Sequence, residues 1–268
     1  MSAAALKVHR AAPDAAPRAS HVTVRGLKKR FGTTAIYDGF DLDVGRGEVV
    51  SIFGPNGCGK STLINMMAGL MPVDGGTILF GGKPARQARL SYVFQNYREA
   101  LFPWLSAYDN IAYPLRIAGV PAAARRARVE AIVAAFGLPI DLKRYPYELS
   151  GGQQQSVSIL RALVTEPEVL FLDEPFSALD YETTLLMRDR LQDVQAKFGT
   201  TMLVVSHDLE EAVYLADSVL LLTRHPTRVA ARLPYAAPRP RAPDVVTEPR
   251  FVETKRRALE IFRREAKL

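Results

Sequence analysis

A glycine-rich segment that carries one lysine and one hydroxyl group has the clearest chemical pattern in this sequence. Residues 54–61 read G-P-N-G-C-G-K-S and match the phosphate-binding pattern G-x-x-x-x-G-K-[ST]. Glycines let backbone N–H groups approach phosphate oxygens, Lys60 adds a positive charge, and the Ser61 hydroxyl can bind Mg²⁺. The pattern predicts a nucleotide site whose contact residues are Gly54, Pro55, Asn56, Gly57, Cys58, Gly59, Lys60, Ser61 and Thr62.

Two acidic residues follow an apolar run further along the chain. The run Val169 to Leu172 has the composition of a buried strand, and Asp173 and Glu174 come directly after it. One carboxylate at a strand end can hold Mg²⁺, and a second can polarise an attacking water. Alone this signal is weak, because many strands end in a solvated acidic turn. Together with the phosphate-binding segment it predicts nucleotide hydrolysis, with Ser61 and Asp173 as metal ligands.

A second glycine-rich segment, Leu-Ser-Gly-Gly-Gln at 149–153, precedes a predicted helix over 154–163. A helix N-terminus attracts anions, so this segment is a second candidate phosphate contact. One nucleotide has a single terminal phosphate, which the first segment already binds, so the second segment needs a separate purpose. The alternative is that Ser150 is an ordinary helix cap.

The motifs together resemble those of ABC-transporter ATPase subunits over about residues 22–232, in the order of that family. They are the phosphate-binding segment, Gln95 after a strand, Leu149 to Gln153, Asp173-Glu174, Ser177 to Asp180, and His207. The resemblance implies ATP and Mg²⁺ as cofactors. It also implies a homodimer, or a pair of related subunits, with ATP at the interface. In such a pair, each subunit closes Ser150, Gly151, Gly152 and Gln153 over the ATP of the other.

The resemblance implies roles for five further residues. Glu174 would orient or deprotonate the attacking water, while His207 would contact the γ-phosphate and hold Glu174 in line. Gln95 would contact Mg²⁺ and that water. Asp180 would cross the dimer interface, and Phe31 would stack on adenine. A structural histidine at 207 and a buried core phenylalanine at 31 are the alternatives.

These residues need an α/β scaffold that places them at the ends of strands and helices. Predicted strands cover 22–31, 39–44, 49–53, 77–80, 90–94, 169–172, 201–205 and 218–222. Predicted helices cover 61–70, 107–117, 122–136, 154–163, 182–198, 209–215 and 251–266. The alternation predicts a parallel sheet interrupted by helices. The resemblance makes this a P-loop NTPase (RecA-like) core with an N-terminal antiparallel β region and an inserted α-helical subdomain.

Composition divides the chain into a tail, a main domain and a C-terminal segment. Residues 1–20 are predicted to be a disordered tail, and 21–233 the ATPase domain, with its helical subdomain over about 96–163. Residues 234–268 are predicted to form a Pro-rich extended linker and a basic amphipathic helix. The segment 224–268 has twelve Lys/Arg and five Asp/Glu, so it carries the whole net charge of +7. We favour a surface helix lying on the main domain, and a lipid-facing or regulatory helix is the alternative.

Composition also excludes several classes of protein. Hydrophobic residues make up 48% of the chain and charged residues 24%, which is typical of a globular protein. No run of eighteen apolar residues occurs, so the sequence predicts no membrane span. The single cysteine excludes an internal disulfide and fits a reducing cytoplasm. No interleaved aromatic and basic pattern predicts binding to nucleic acid.

The resemblance implies a peripheral ATPase at the cytoplasmic face of the inner membrane that works with transmembrane permease subunits. Residues 93–95 (V-F-Q), followed by 101–104 (L-F-P-W), resemble ATPases of the nitrate, sulfonate and taurine importer group. That group uses an extracytoplasmic solute-binding protein, so we expect import of a small anion or sulfonate-like solute. Alternatives are the ATPase of an ABC exporter and a soluble ABC-class ATPase acting on nucleic acid or ribosomes.

Three side chains carry further expectations. Cys58 lies beside Lys60 at a helix N-terminus, which favours the thiolate and predicts that alkylation blocks ATP binding. Trp104 either packs in the interior or lines a groove for a cytoplasmic helix of the membrane subunit. Ser156 stands where the family often has arginine, which removes a basic side chain near the dimer interface.

Overall fold

A computed structural model of the chain describes residues 19–137, 140–235 and 237–266. Most of the predicted N-terminal tail therefore lies outside the described residues. The strands are β1 (Ser20–Phe31), β2 (Thr34–Gly45), β3 (Val49–Phe53), β4 (Gly75–Phe80), β5 (Leu90–Val93), β6 (Val169–Asp173), β7 (Thr201–Val205), β8 (Ser218–Leu222) and β9 (Val229–Pro234). The helices are α1 (Lys60–Met67), α2 (Tyr97–Ala100), α3 (Ala107–Ile117), α4 (Ala122–Phe136), α5 (Gly151–Leu163), α6 (Tyr181–Phe198), α7 (Leu209–Leu215) and α8 (Pro249–Ala266).

Two sheets form the scaffold, and the predicted fold class is confirmed. The N-terminal sheet is antiparallel, in the order β2-β1-β4. The second sheet has the order β5-β6-β7-β3-β8-β9, and its first five strands are parallel. Every residue of β3, β6, β7 and β8 is buried, because helices cover both faces of a parallel sheet.

Strand β9 was not predicted from the sequence, and it pairs antiparallel with β8 at the sheet edge. An edge strand pairs with only one neighbour, and most side chains of β9 are only partly buried. The strand therefore has few strongly apolar residues that would reveal it in the sequence. The short helix α2 was also missed, because a single turn gives no periodicity.

Parallel strand ends bring the sequence motifs to one edge of the second sheet. The phosphate-binding segment leaves the carboxyl end of β3, and Gln95 follows β5. Asp173 ends β6, and His207 follows β7. Ligands of open parallel sheets bind at this carboxyl edge, so the topology gathers residues that lie more than a hundred positions apart.

The segment between β5 and β6 is mainly helical and packs as one layer. Helix α3 contacts both α4 and α5. Ile111, Leu115, Val129 and Phe136 are buried and belong to the larger of two hydrophobic clusters. Within the described ranges, none of the helices combines the length and apolarity that a membrane span requires.

The C-terminal segment packs against the core rather than forming the extended linker that its prolines predicted. Residues Pro243–Thr247 form a 3₁₀ helix, and Arg241 is buried. The Arg241 guanidinium donates hydrogen bonds to backbone carbonyls, which ties the segment to α7. Helix α8 lies on α7 and β8, with Phe251 and Ala258 buried, as the favoured surface-helix interpretation predicted.

Candidate functional site

The phosphate-binding segment forms a tight loop between β3 and α1. Gly59 has a φ of +100°, and a Cβ there would lie 2.6 Å from Ile36 Cγ2, so the position requires glycine. Lys60 is buried, and its Nζ donates to the carbonyls of Gly54 (2.9 Å) and Pro55 (3.2 Å). These two bonds hold the ammonium group inside the loop, where a nucleotide phosphate would meet it.

Oxygen ligands suited to Mg²⁺ converge between α1 and β6. The Ser61 hydroxyl donates to Asp173 Oδ1 (2.9 Å), and the Tyr92 hydroxyl donates to Asp173 Oδ2 (2.9 Å). Burial raises the pKa of Asp173, while these two hydrogen bonds and nearby Lys60 lower it. Because Mg²⁺ prefers hydroxyl and carboxylate oxygens, Ser61 and Asp173 fit the predicted ion.

Sequence reasoning missed Tyr92, although its position carries a signal. It lies on β5, which pairs in parallel with β6, and β6 ends at Asp173. The signal is a tyrosine on a predicted strand three residues before Gln95, but only the pairing of β5 with β6 shows that its hydroxyl reaches Asp173. It is a positioning residue, because it holds Asp173 without itself offering a typical Mg²⁺ ligand.

The three predicted catalytic residues meet at one carboxylate oxygen. Gln95 Nε2 donates to Glu174 Oε2 (2.9 Å), and His207 Nδ1 lies 3.5 Å from the same atom. Glu174 has a φ of +45°, which is rare for a residue with a side chain. Its N–H donates to Val205 O (3.0 Å), which fixes the turn that directs Glu174 between the ends of β6 and β7. Such strain is typical of functional sites.

The second glycine-rich segment begins α5 with a capping box. Ser150 Oγ accepts a bond from Gln153 N (3.3 Å), and Gln153 Oε1 accepts one from Ser150 N (3.0 Å). Ser150 is thus a helix cap in the structure. A cap does not exclude a further contact between this segment and the nucleotide of a second subunit. A Cβ on Gly151 would lie 2.9 Å from Tyr97 Oη, and one on Gly152 would lie 2.5 Å from Thr183 Cγ2.

Asp180 caps α6 close to this segment. Its Oδ1 accepts a bond from Thr183 N (2.8 Å), and its Oδ2 accepts one from the Thr183 hydroxyl (2.8 Å). These bonds lower the pKa of Asp180. Since Thr183 also contacts Gly152, Asp180 and the second glycine-rich segment belong to one surface. Among the described residues, no hydrogen bond joins that segment to the phosphate loop of the same chain.

Phe31 lies at the end of β1 with 49% of its surface exposed. The buried-core alternative is therefore wrong. Lys29 Nζ lies 5.5 Å from the centroid of the Phe31 ring, so the ring has a cation near it but is open to solvent. An exposed ring beside the N-terminal sheet is available for stacking on a base.

We expect Phe31→Ala to weaken nucleotide binding without unfolding the chain. Stacking of a base on an aromatic ring contributes about 1–3 kcal/mol, a factor of about 5–150 in Kd. The Kd for Mg-ATP is measured by calorimetry, with Phe31→Tyr as the control that keeps a ring. Equal affinities of the alanine and tyrosine variants would show that Phe31 does not contact the base.

The expectation of a thiolate at Cys58 is wrong. The side chain is 1% exposed, and burial raises the pKa of the thiol above its usual value. The positive charge of Lys60 acts in the opposite direction but is the smaller effect. The Thr227 hydroxyl donates to the Cys58 carbonyl, which fixes this part of the loop.

We therefore expect the native chain to resist alkylation at Cys58. Each unit by which the pKa is raised lowers the thiolate fraction about tenfold, and burial also blocks the reagent. Iodoacetamide labelling at pH 7.5 is followed by mass spectrometry in the native and urea-unfolded states. Labelling of the native chain as fast as the unfolded chain would contradict the buried thiol.

The aromatic segment after Gln95 divides between core and surface. Leu101 is buried, whereas Trp104 is 70% exposed, so the interior interpretation is wrong for Trp104. The Trp104 and Phe102 ring centroids lie 5.6 Å apart, and Phe102 also contacts Tyr113 of α3 (4.6 Å). These rings form an aromatic surface on the helical layer.

Ser156 lies on the buried face of α5. It is buried and donates to Gly152 O (2.8 Å), with its Oγ 3.4 Å from Met187 Sδ. Position 156 is therefore not exposed at a surface, contrary to the expectation of a basic position near the dimer interface.

Comparison with known proteins identifies the family. A protein-family model described as "ABC transporter" matches residues 37–177, which include the phosphate loop, Asp173 and Glu174. This chain belongs to the ABC transporter family. The match ends before His207 and Asp180, so those assignments depend on the geometry above.

Curated relatives and solved structures of the family agree with this membership. The chain is 42% identical to the taurine import ATP-binding protein TauB of Chromobacterium violaceum, covering 83% of this chain and 87% of TauB. It is 44% identical to the spermidine/putrescine import ATP-binding protein PotA of Marinobacter nauticus, covering 75% of this chain but only 55% of PotA. The fold matches the dimeric post-hydrolysis structure of the ATP-binding cassette MJ0796 bound to ADP and Pi, with a TM-score of 0.71 and 28% identity over 81% of this chain and 99% of that one.

Proposed function

We propose that this chain is the ATP-hydrolysing subunit of a binding-protein-dependent ABC importer. One observation carries the proposal: the phosphate loop, Asp173 and the Gln95–Glu174–His207 group lie at the same edge of the sheet. This arrangement would supply a phosphate cradle, a metal ligand and a general base within one site. Family membership supports the same activity.

The geometry supports a proposed step in hydrolysis for each residue. The loop N–H groups and Lys60 would bind the phosphates, with Ser61 and Asp173 holding Mg²⁺, which would neutralise phosphate charge. Glu174 would accept the proton of the attacking water. Gln95 and His207 both reach Glu174 Oε2, so they would fix the direction of that carboxylate.

Two copies of the chain are proposed to share two nucleotides. The capped N-terminus of α5 at Ser150 is free of hydrogen bonds to the chain's own phosphate loop in the described part of the structure. Its N-terminal N–H groups would bind the γ-phosphate held by the partner, and Asp180 lies on the same surface. The dimeric structure of the MJ0796 cassette bound to ADP and Pi supports this pairing.

The transported solute is proposed to be a small sulfonate or related anion, and the complex to include permease subunits and a solute-binding protein. Support comes from TauB, because the match covers 87% of the TauB chain but only 55% of the PotA chain. The chain would lie at the cytoplasmic face of the inner membrane, held there by the permease subunits.

Uptake measurements test the solute. Proteoliposomes with the co-purified membrane complex and its binding protein are supplied with radiolabelled taurine, sulfate, nitrate or putrescine. We expect ATP-dependent accumulation of a sulfonate or small anion. Accumulation of putrescine alone would overturn the proposed solute class and leave the ATPase assignment intact, whereas ATP-dependent efflux would overturn import.

We expect Trp104→Ala to lower permease-stimulated ATPase activity more than basal activity. The ring is largely exposed, so its loss costs little core packing, but it removes the most exposed ring of the aromatic surface proposed to receive a permease helix. ATPase rates are compared with and without the membrane subunits, and Val252→Ala, an exposed position on α8, is the control. Equal loss of both activities would indicate damage to the fold instead.

A further inference from the structure

A cleft of about 560 Å³ lies at the edge of the second sheet opposite the phosphate loop. Its walls come from the amino ends of β6 and β7, the end of α6, and the face of α4 that includes Arg128. The phosphate loop and Asp173 lie at the carboxyl ends of the strands of the same sheet. Strands of five residues, about 16 Å long, therefore separate the cleft from the nucleotide site.

The lining of the cleft combines a basic rim with an apolar floor. Arg46, Arg89, Arg128 and Lys197 are exposed at the rim, and Ile132 and Leu163 are buried in the floor. Two acids also line it: Glu168 lies 3.8 Å from Arg89 Nε, and Glu166 has a φ of +50°. Among the described residues, Arg46 and Arg128 form no ion pair, so the rim keeps an excess of positive charge.

A buried histidine supplies a polar group without a partner. His21 is 2% exposed and lines the cleft, and its Nδ1 is hydrogen bonded to the Thr201 hydroxyl (2.9 Å). Within the described part of the chain, its Nε2 has no hydrogen-bond partner, and Glu168 Oε2 lies 3.7 Å away, beyond hydrogen-bond range. A buried polar atom without a partner costs free energy, which a ligand or water in the cleft would recover.

We propose that this cleft binds an organic anion that carries one acidic head group on an apolar body. Arg46 and Arg128 would bind the head group, His21 Nε2 would contact it at the base of the cleft, and Ile132 and Leu163 would contact the apolar body. The volume lies within the range of small-molecule sites. Because α4 belongs to the helical layer and β7 to the sheet, the bound anion would link these two parts of the chain.

Calorimetry with 1-naphthalenesulfonate tests the proposal on the full chain saturated with Mg-ADP, so that the nucleotide site is filled. Inorganic sulfate tests the head group alone, and neutral 1-naphthalenemethanol tests the apolar body alone. We expect one sulfonate per chain, bound at least tenfold more tightly than either partial probe. Arg128→Gln and Arg46→Gln should each weaken its binding about tenfold, the loss expected for one charge-assisted contact.

The matched control is Arg126→Gln, which removes an exposed arginine from the same helix but not from the cleft. Perturbation of the His21 ring signals by NMR on addition of the sulfonate gives an independent readout. The proposal is overturned if the wild-type chain shows no saturable binding, or if Arg126→Gln weakens binding as much as Arg128→Gln. It is also overturned if the His21 signals do not move at saturation.

Discussion

Glu174→Gln is expected to lower kcat for ATP hydrolysis by about 10²–10⁴-fold, the usual contribution of a general base. Glutamine keeps the size of the side chain and can still accept a hydrogen bond from Gln95, but it cannot take a proton from water. Binding of Mg-ATP should remain, because the phosphate loop and Asp173 are untouched. Single-turnover hydrolysis and equilibrium binding measure the two properties separately.

The matched control for this variant is Glu130→Gln, which removes an exposed carboxylate from α4. It should hydrolyse ATP like the wild-type chain. A Glu174→Gln variant that hydrolysed ATP as fast as this control would show that another group accepts the proton.

Lys60→Gln is expected to lower kcat/KM by about 10²–10³-fold, which is typical for loss of one preorganised donor at a site of developing negative charge. The ammonium is buried and held by the carbonyls of Gly54 and Pro55, so its loss removes a positive charge that is fixed inside the loop. Lys83→Gln, an exposed lysine outside the loop, is the control. Unchanged kcat/KM in Lys60→Gln would mean that the loop does not bind the triphosphate.

Local signals in the sequence predicted the elements that have clear boundaries. The bounds predicted for α3, α4 and α7 agree with the structure to the residue. In the structure, Ser106 and Asp208 cap the starts of α3 and α7, Pro121 precedes α4, and glycines follow α3 and α4, so local residues define these ends. Buried strands β7 and β8 were also placed correctly, because continuous apolar runs between polar turns are typical of parallel strands.

Contacts between distant parts of the chain explain what sequence reasoning could not provide. The hydrogen bond from Tyr92 to Asp173 depends on the pairing of β5 with β6. Leu101 and Trp104 both have large apolar side chains, and tertiary packing places Leu101 in the core and Trp104 on the surface. Cys58 shows the same limit, because the motif fixes Gly59 and Lys60, which follow it in the sequence, but not its burial.

The central feature of the proposed mechanism is that two copies of the chain hold ATP between them. The most direct measurement is the mass of Glu174→Gln in saturating Mg-ATP by sedimentation, alone and with the membrane subunits. We predict a nucleotide-dependent dimer of twice the 29.6 kDa chain mass, which dissociates when the nucleotide is removed. A variant that binds Mg-ATP but stays monomeric under both conditions would contradict the shared site.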